Sequence, residues 1–199
     1  MRQRVVQGAG PGKIVQTAAG LRAAGVAPAF VEAVRALANE GALAITTSCG
    51  FLVLLQQELQ AAATVPVVTS SLLQLPGLLA QHRKVGVLTI SSAALGADHL
   101  LAAGVPQERL QDVLVQGVDP AAEFAAAILG NRETMDIEKA RGDVVASAMA
   151  LKQREPSLQA LVLECTNLSP YRQAIEAATG LKTWALTDDE SLLSPWRKG

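Results

Sequence analysis

Two segments place a cysteine at the end of an apolar run, directly before a helix start, and this pairing constrains the chain more than anything else in it. They are Ala42-Leu-Ala-Ile-Thr-Thr-Ser-Cys-Gly-Phe51 and Leu161-Val-Leu-Glu-Cys-Thr-Asn-Leu-Ser-Pro170. The run Ala160 to Leu163 is short and wholly apolar, the pattern of a strand buried in a parallel sheet. Ser169 followed by Pro170 supplies a helix N-cap and a proline at the first helical position. In an open α/β sheet, ligands bind outside the carboxyl ends of the strands. Cys49 and Cys165, the two cysteines of the chain, therefore both fall where such a sheet places its site.

The rest of the chain continues the alternation. Strands are predicted at Arg4 to Gln7, Leu43 to Thr46, Thr64 to Ser71, Val85 to Ile90, Asp112 to Gln116, Ala160 to Leu163 and Lys182 to Leu186. Helices are predicted at Val26–Asn39, Phe51–Ala63, Leu72–His82, Ala93–Ala103, Asp119–Leu129, Met135–Arg154 and Pro170–Ala178. Pro76 argues for a late start or a kink in the third of these. Alternation of this kind implies an α/β fold with parallel sheets and right-handed crossovers. One cysteine in each half suggests two lobes facing each other, residues 1–82 and residues 83–186, with a short hinge near residues 81–84 and the tail 187–199 returning to the first lobe.

Composition removes several function classes. Hydrophobic residues are 50% and aromatics 3%, so the core is built from Ala, Leu and Val. A net charge of −1 offers no basic face for nucleic acid. The longest apolar runs are interrupted by Gln, Glu or Gly, which predicts no membrane span, and no signal pattern opens the chain. A cytoplasmic protein with free thiols is expected. The cluster Gly8-Ala-Gly-Pro-Gly-Lys13 matches neither phosphate-binding fingerprint: Gln7, Lys13 and Ile14 stand where glycine, glycine and a hydroxyl residue are needed. It reads as a loop.

A thiolate is both base and nucleophile, and a neighbouring helix N-terminus lowers its pKa. Against that stands the packing of cysteine as a small buried hydrophobe. A redox pair lacks a CxxC spacing, and His82 and His99 share no metal-ligand spacing with either cysteine; both read as solvated helix residues.

The stretches Ile45-Thr-Thr-Ser-Cys-Gly-Phe-Leu52, Val67-Val-Thr-Ser-Ser-Leu72 and Leu163-Glu-Cys-Thr-Asn-Leu-Ser-Pro-Tyr171 resemble the aspartate/glutamate racemase family, whose superfamily includes hydantoin racemases, arylmalonate decarboxylase and maleate isomerase. The resemblance implies two flavodoxin-like parallel-sheet lobes related by a pseudo-two-fold, with the site in the cleft between them. It implies a homodimer and a cofactor-independent racemase or epimerase, without pyridoxal phosphate or metal, acting on a small carboxylate such as aspartate or glutamate. Cys49 and Cys165 take the acid and base roles. Thr47, Ser48, Gly50, Ser70, Thr166 and Asn167 are the substrate-binding candidates, and for Ser70 helix capping is the stronger reading. The same resemblance leaves open a decarboxylase, a cis–trans isomerase or a truncated binding protein. Gly50-Phe51 replaces the Asn-Thr that often follows the first family cysteine, and Asn167 stands where glutamate racemases carry His. Family members also open with a first strand and substrate loop ahead of the segment resembling Arg4–Gly10, so a late-assigned start or a missing strand is expected. No Arg or Lys lies within three residues of either cysteine, which disfavours a dianionic ligand.

Overall fold

A computed structural model describes residues 1–193 of the chain. The end of the 187–199 tail lies outside the described residues. Six strands, all pairing in parallel, form two sheets within that range. β1 (Ile45–Thr46) pairs with β2 (Val67–Val68). The larger sheet has the order β4-β3-β5-β6, with β3 at Val85–Thr89, β4 at Val113–Gly117, β5 at Ala160–Leu163 and β6 at Lys182–Trp184.

Every residue of β3 and β5 is buried, which is why both read as uninterrupted apolar runs in the sequence. The long helix Ile137–Arg154 lies on this sheet through Ala140, Val144, Ala148 and Leu151. It approaches β3 so closely that a β-carbon on Gly86 would fall 2.9 Å from a Leu151 methyl and 3.0 Å from one of Leu161. The glycine in the middle of β3 is thus a packing requirement.

β1 and β2 are shorter than predicted because threonine hydroxyls replace the ladder beyond them. Thr46 donates to the Val68 carbonyl at 2.8 Å, and Thr47 to the Thr69 carbonyl at 2.7 Å. The outer edge of β2 is covered by glutamine side chains four residues apart. Gln56 accepts from the Thr69 amide and donates to the Val67 carbonyl, at 3.0 and 2.7 Å. Gln60 accepts from the Val67 amide and donates to the Val65 carbonyl, at 2.9 and 3.1 Å. Two amides on one helix face stand in for a neighbouring strand and satisfy an edge that would otherwise be open. A cleft of about 580 Å³ opens beside these glutamines, and neither cysteine lines it.

Several elements differ from the sequence reading. Arg4 to Gln7 forms no strand. Val5 is 73% exposed, so the segment has no buried face, and Arg2 and Arg4 instead pair with Glu40. The helix predicted from Asp119 begins at Glu123 and runs to Leu129. Asp119 caps a turn, accepting from the Ala121 amide at 2.9 Å, and the helix start is held by Asp143, which accepts from the Phe124 amide at 3.1 Å. The helix around Leu72 starts late, as Pro76 requires: a 3-10 turn at Ser71–Gln74 precedes the α-helix Leu75–Gln81. His99 is 1% exposed, not solvated, with its ring edge-on to Phe51.

The segment joining the two sheets is fixed by one side chain. Arg109 donates to the carbonyls of Leu79, His82 and Arg83 at 3.1, 3.3 and 3.2 Å and pairs with Asp112. Its guanidinium thereby satisfies carbonyls that the end of helix Leu75–Gln81 leaves open. No helix among the described residues is long and apolar enough to cross a membrane.

Candidate active site

The carboxyl ends of four strands converge on one place. Cys49 follows β1, Ser70 and Ser71 follow β2, Thr89 ends β3, and Glu164 and Cys165 follow β5. Each cysteine is the N-cap residue of a short 3-10 helix, Gly50–Leu55 for Cys49 and Thr166–Tyr171 for Cys165, with no side-chain capping bond. Cys49 is half-buried and Cys165 buried, and neither is in a disulfide.

Hydrogen bonds across the two sheets hold the turns together. Thr166 donates to the Ser48 carbonyl at 2.6 Å, joining the Cys165 turn to the Cys49 turn. Ser71 donates to the Leu163 carbonyl at 2.8 Å, tying the segment after β2 to β5. Thr47 also donates to the Cys49 carbonyl at 3.0 Å. Ser70 accepts from the Leu72 amide at 3.2 Å, the capping role favoured from sequence. Gly50 is dictated by space: a β-carbon there would lie 2.4 Å from Glu164 Oε1, 2.5 Å from the Glu164 carbonyl and 2.9 Å from Ser70 Oγ. Thr47, Ser48, Gly50, Ser70, Thr166 and Asn167 therefore all belong to the two cysteine turns or the strand end between them.

The electrostatics run opposite to the expected lowering of the thiol pKa. Burial, and then the negative charge of Glu164, raise both thiols, Cys49 well above the usual thiol range and Cys165 to about 12. The two thiols are close enough that the charge of Cys165 also raises Cys49. Helices this short supply little opposing dipole. The donors that favour a thiolate are unequal. Cys165 has the Asn167 amide N–H, the Asn167 side chain and the Leu168 N–H, whereas Cys49 has the Phe51 N–H. Asn167 is thus a thiolate-stabilising neighbour of Cys165.

Glu164 was legible as a polar residue in the motif but not as a member of the site. It is 1% exposed, its Oε2 accepts from Thr89 at 2.8 Å, and Oε1 has no partner. Burial raises its carboxyl to about 7, with the Thr89 hydroxyl opposing. A polar residue closing an all-apolar strand was the one available signal. Among the described residues no group of three or more His, Cys, Asp or Glu is placed to hold a metal ion.

No family model matches the chain. It is 33% identical over 162 residues to a dimethylsulfoniopropionate lyase from Durusdinium sp. clade D, covering 78% of this chain and 53% of that protein. It is 30% identical over 176 residues to dimethylsulfoniopropionate lyase 7 from Emiliania huxleyi, covering 83% and 51%. The chain spans about half the length of these curated relatives. They overturn the racemase assignment, and with it the isomerase class and the amino-acid substrate: the relatives are named for cleaving their substrate, not for inverting it. Two thiols after parallel strands do not by themselves specify which of these reactions follows proton removal.

Among solved structures, an aspartate racemase homologue from Pyrococcus horikoshii superposes with a TM-score of 0.53 at 16% identity, covering 87% of this chain and 72% of that one. Glutamate racemase from Francisella tularensis superposes with a TM-score of 0.51 at 16% identity, covering 98% and 66%. The chain thus has the fold of these aspartate and glutamate racemase structures.

Proposed function

We propose that this chain cleaves dimethylsulfoniopropionate by β-elimination at the Cys49–Cys165 site, releasing dimethyl sulfide and acrylate. The observation that carries the reading is the absence, among the described residues, of a cation acting on the two thiols: the ionisable side chain whose charge acts on both is Glu164, an acid. A site of that character favours a ligand that brings its own positive charge. The sulfonium group does so, while a dicarboxylate amino acid adds further negative charge. The relatives named for this activity supply the substrate.

The chemistry needs one base. A thiolate removes a proton from the carbon beside the carboxylate, the electron pair forms the carbon–carbon double bond, and the carbon–sulfur bond breaks to give neutral dimethyl sulfide. The proton passes from the thiol to solvent. We assign the base to Cys165, whose three donors favour its thiolate over that of Cys49. The approaching sulfonium offsets the negative charge that holds the thiol protonated. Cys49 donates its S–H to the substrate carboxylate, on which charge accumulates as the proton leaves. The carboxylate rests against Thr47, Ser48 and Gly50 on one turn and Thr166 and Asn167 on the other, with Ser70 between them.

In this reading the chain forms two lobes related by a pseudo-two-fold, residues 1–82 joined by residues 187–193, and residues 83–186, and it assembles as a homodimer. Light scattering should give twice the 20.7 kDa chain mass; a single-chain mass across micromolar concentrations would remove the dimer. The functional test is headspace measurement of dimethyl sulfide from purified protein and dimethylsulfoniopropionate. Gas evolution above a boiled control supports the assignment, and none at millimolar substrate overturns it.

A further inference from the structure

The residue immediately before Cys165 has no role in the elimination as written, yet its position is unusual. Glu164 follows β5 fully buried, with Oε2 held by Thr89 and Oε1 unpartnered. Oε1 points at the backbone of Gly50, in the turn that carries Cys49, so the carboxyl stands between the two cysteine turns. The titratable groups on which its charge acts are Cys165, next to it in the chain, and Cys49, in the turn after β1. The elements after β2 and at the end of β3 present the hydroxyls of Ser70 and Thr89.

We propose that Glu164 is a positioning residue that holds the proton released when a thiol of the site becomes a thiolate, so that the pocket carries one negative charge at a time. In the step, a cysteine S–H bond breaks, the electron pair stays on sulfur, and the proton forms an O–H bond on Glu164. Nothing else is consumed. Like charges in one buried site cannot both form cheaply, so a carboxylate on Glu164 and a thiolate beside it exclude each other. The like-charge repulsion of Glu164 on both thiols accords with this. Glu164 thereby makes the armed state of the site a matter of where one proton sits. The inference rests on the proposed elimination only for its consequence in turnover.

The test reads the thiol directly. Cys49, half-buried, is alkylated with iodoacetamide between pH 5.5 and 9, and its modified peptide is quantified by mass spectrometry. In the unaltered protein the rate should rise about tenfold per pH unit below about 7 and flatten above it, because the site's single negative charge is then already present. In Glu164→Gln the rise should continue at about tenfold per unit, so the variant leads by about a hundredfold at pH 9 while the two agree near pH 6. Thr89→Val keeps the carboxyl but removes the bond that favours its charged form, and should move the break to higher pH. It decides the matter if the glutamine variant does not fold. Parallel profiles for Glu164→Gln and the parent, or an unmoved break in Thr89→Val, would overturn the proposal. Because alkylation needs no substrate, absence of dimethyl sulfide release would remove the lyase reading and leave this result standing.

Discussion

Glu164 Oε1 lies where a side chain on Gly50 would begin, 2.4 Å from the position of its β-carbon. This one approach joins the two cysteine turns, since Gly50 follows Cys49 and Glu164 precedes Cys165. It explains why the first turn carries glycine, and it makes the carboxyl a wall of the site.

Gly50→Ala should therefore be destabilising although φ at this position suits any residue. Two of the three atoms that the new methyl would meet are a buried carboxyl oxygen and a backbone carbonyl, which cannot swing aside. A loss of about 1–3 kcal/mol in urea unfolding is expected, the cost of overpacking a filled interior. Stability equal to the parent would show that the turns separate freely.

Glu164 also gives the fold a pH dependence of defined sign. Its carboxyl is raised from 4.5 to about 7 on folding, so between those values the unfolded chain releases a proton that the folded chain keeps. Stability from this group is full below 4.5, falls as pH rises through the window, and is constant above about 7. The loss is about 3 kcal/mol at about 1.4 kcal/mol per unit. Glu164→Gln should gain stability relative to the parent at pH 8 and lose that advantage at pH 4. Denaturant titrations of both proteins at the two pH values check this; an advantage of equal size at both would contradict it.

Glu155 behaves in the opposite direction. Its hydrogen bond with Lys84 holds its carboxyl down to about 2 from 4.5, assisted by Ser157. The ion pair links the entry to β3 with the end of helix Ile137–Arg154 and is full above 4.5, then lost as pH falls towards 2. Thermal melts of Glu155→Gln should lie below the parent at pH 6 and converge with it near pH 2. Identical melts at pH 6 would assign the pair no role.

The parts legible in the sequence are those governed by local pattern. β3 and β5 are apolar throughout because both faces are covered, and Pro76 marks the late start of its helix for a steric reason. The placement of Cys49 and Cys165 at strand ends followed from the same runs. What the pattern could not contain is long-range substitution for a regular partner. Gln56 and Gln60 replacing a strand edge, Asp143 capping a helix from another helix, and Arg109 closing carbonyls 30 residues away depend on tertiary proximity. The proposed reaction was hidden for a related reason: racemisation and elimination begin with the same proton removal, and the motif would encode the base, not the leaving group. The absence of Arg and Lys near either cysteine was the visible hint, and it gains weight only once Glu164 is known to be buried among the thiols.

The most direct test of the account uses dimethylsulfoniopropionate deuterated at both positions beside the carboxylate, followed by NMR for acrylate and by gas chromatography for dimethyl sulfide. The account predicts the two products in equal amounts, a several-fold slower rate than with the protium substrate, and a loss of about 10²–10⁴-fold in Cys165→Ser. Cys49→Ser should lose less, since a hydroxyl still donates to the carboxylate. Undiminished cleavage in Cys165→Ser, or deuterium wash-out without carbon–sulfur cleavage, would contradict it.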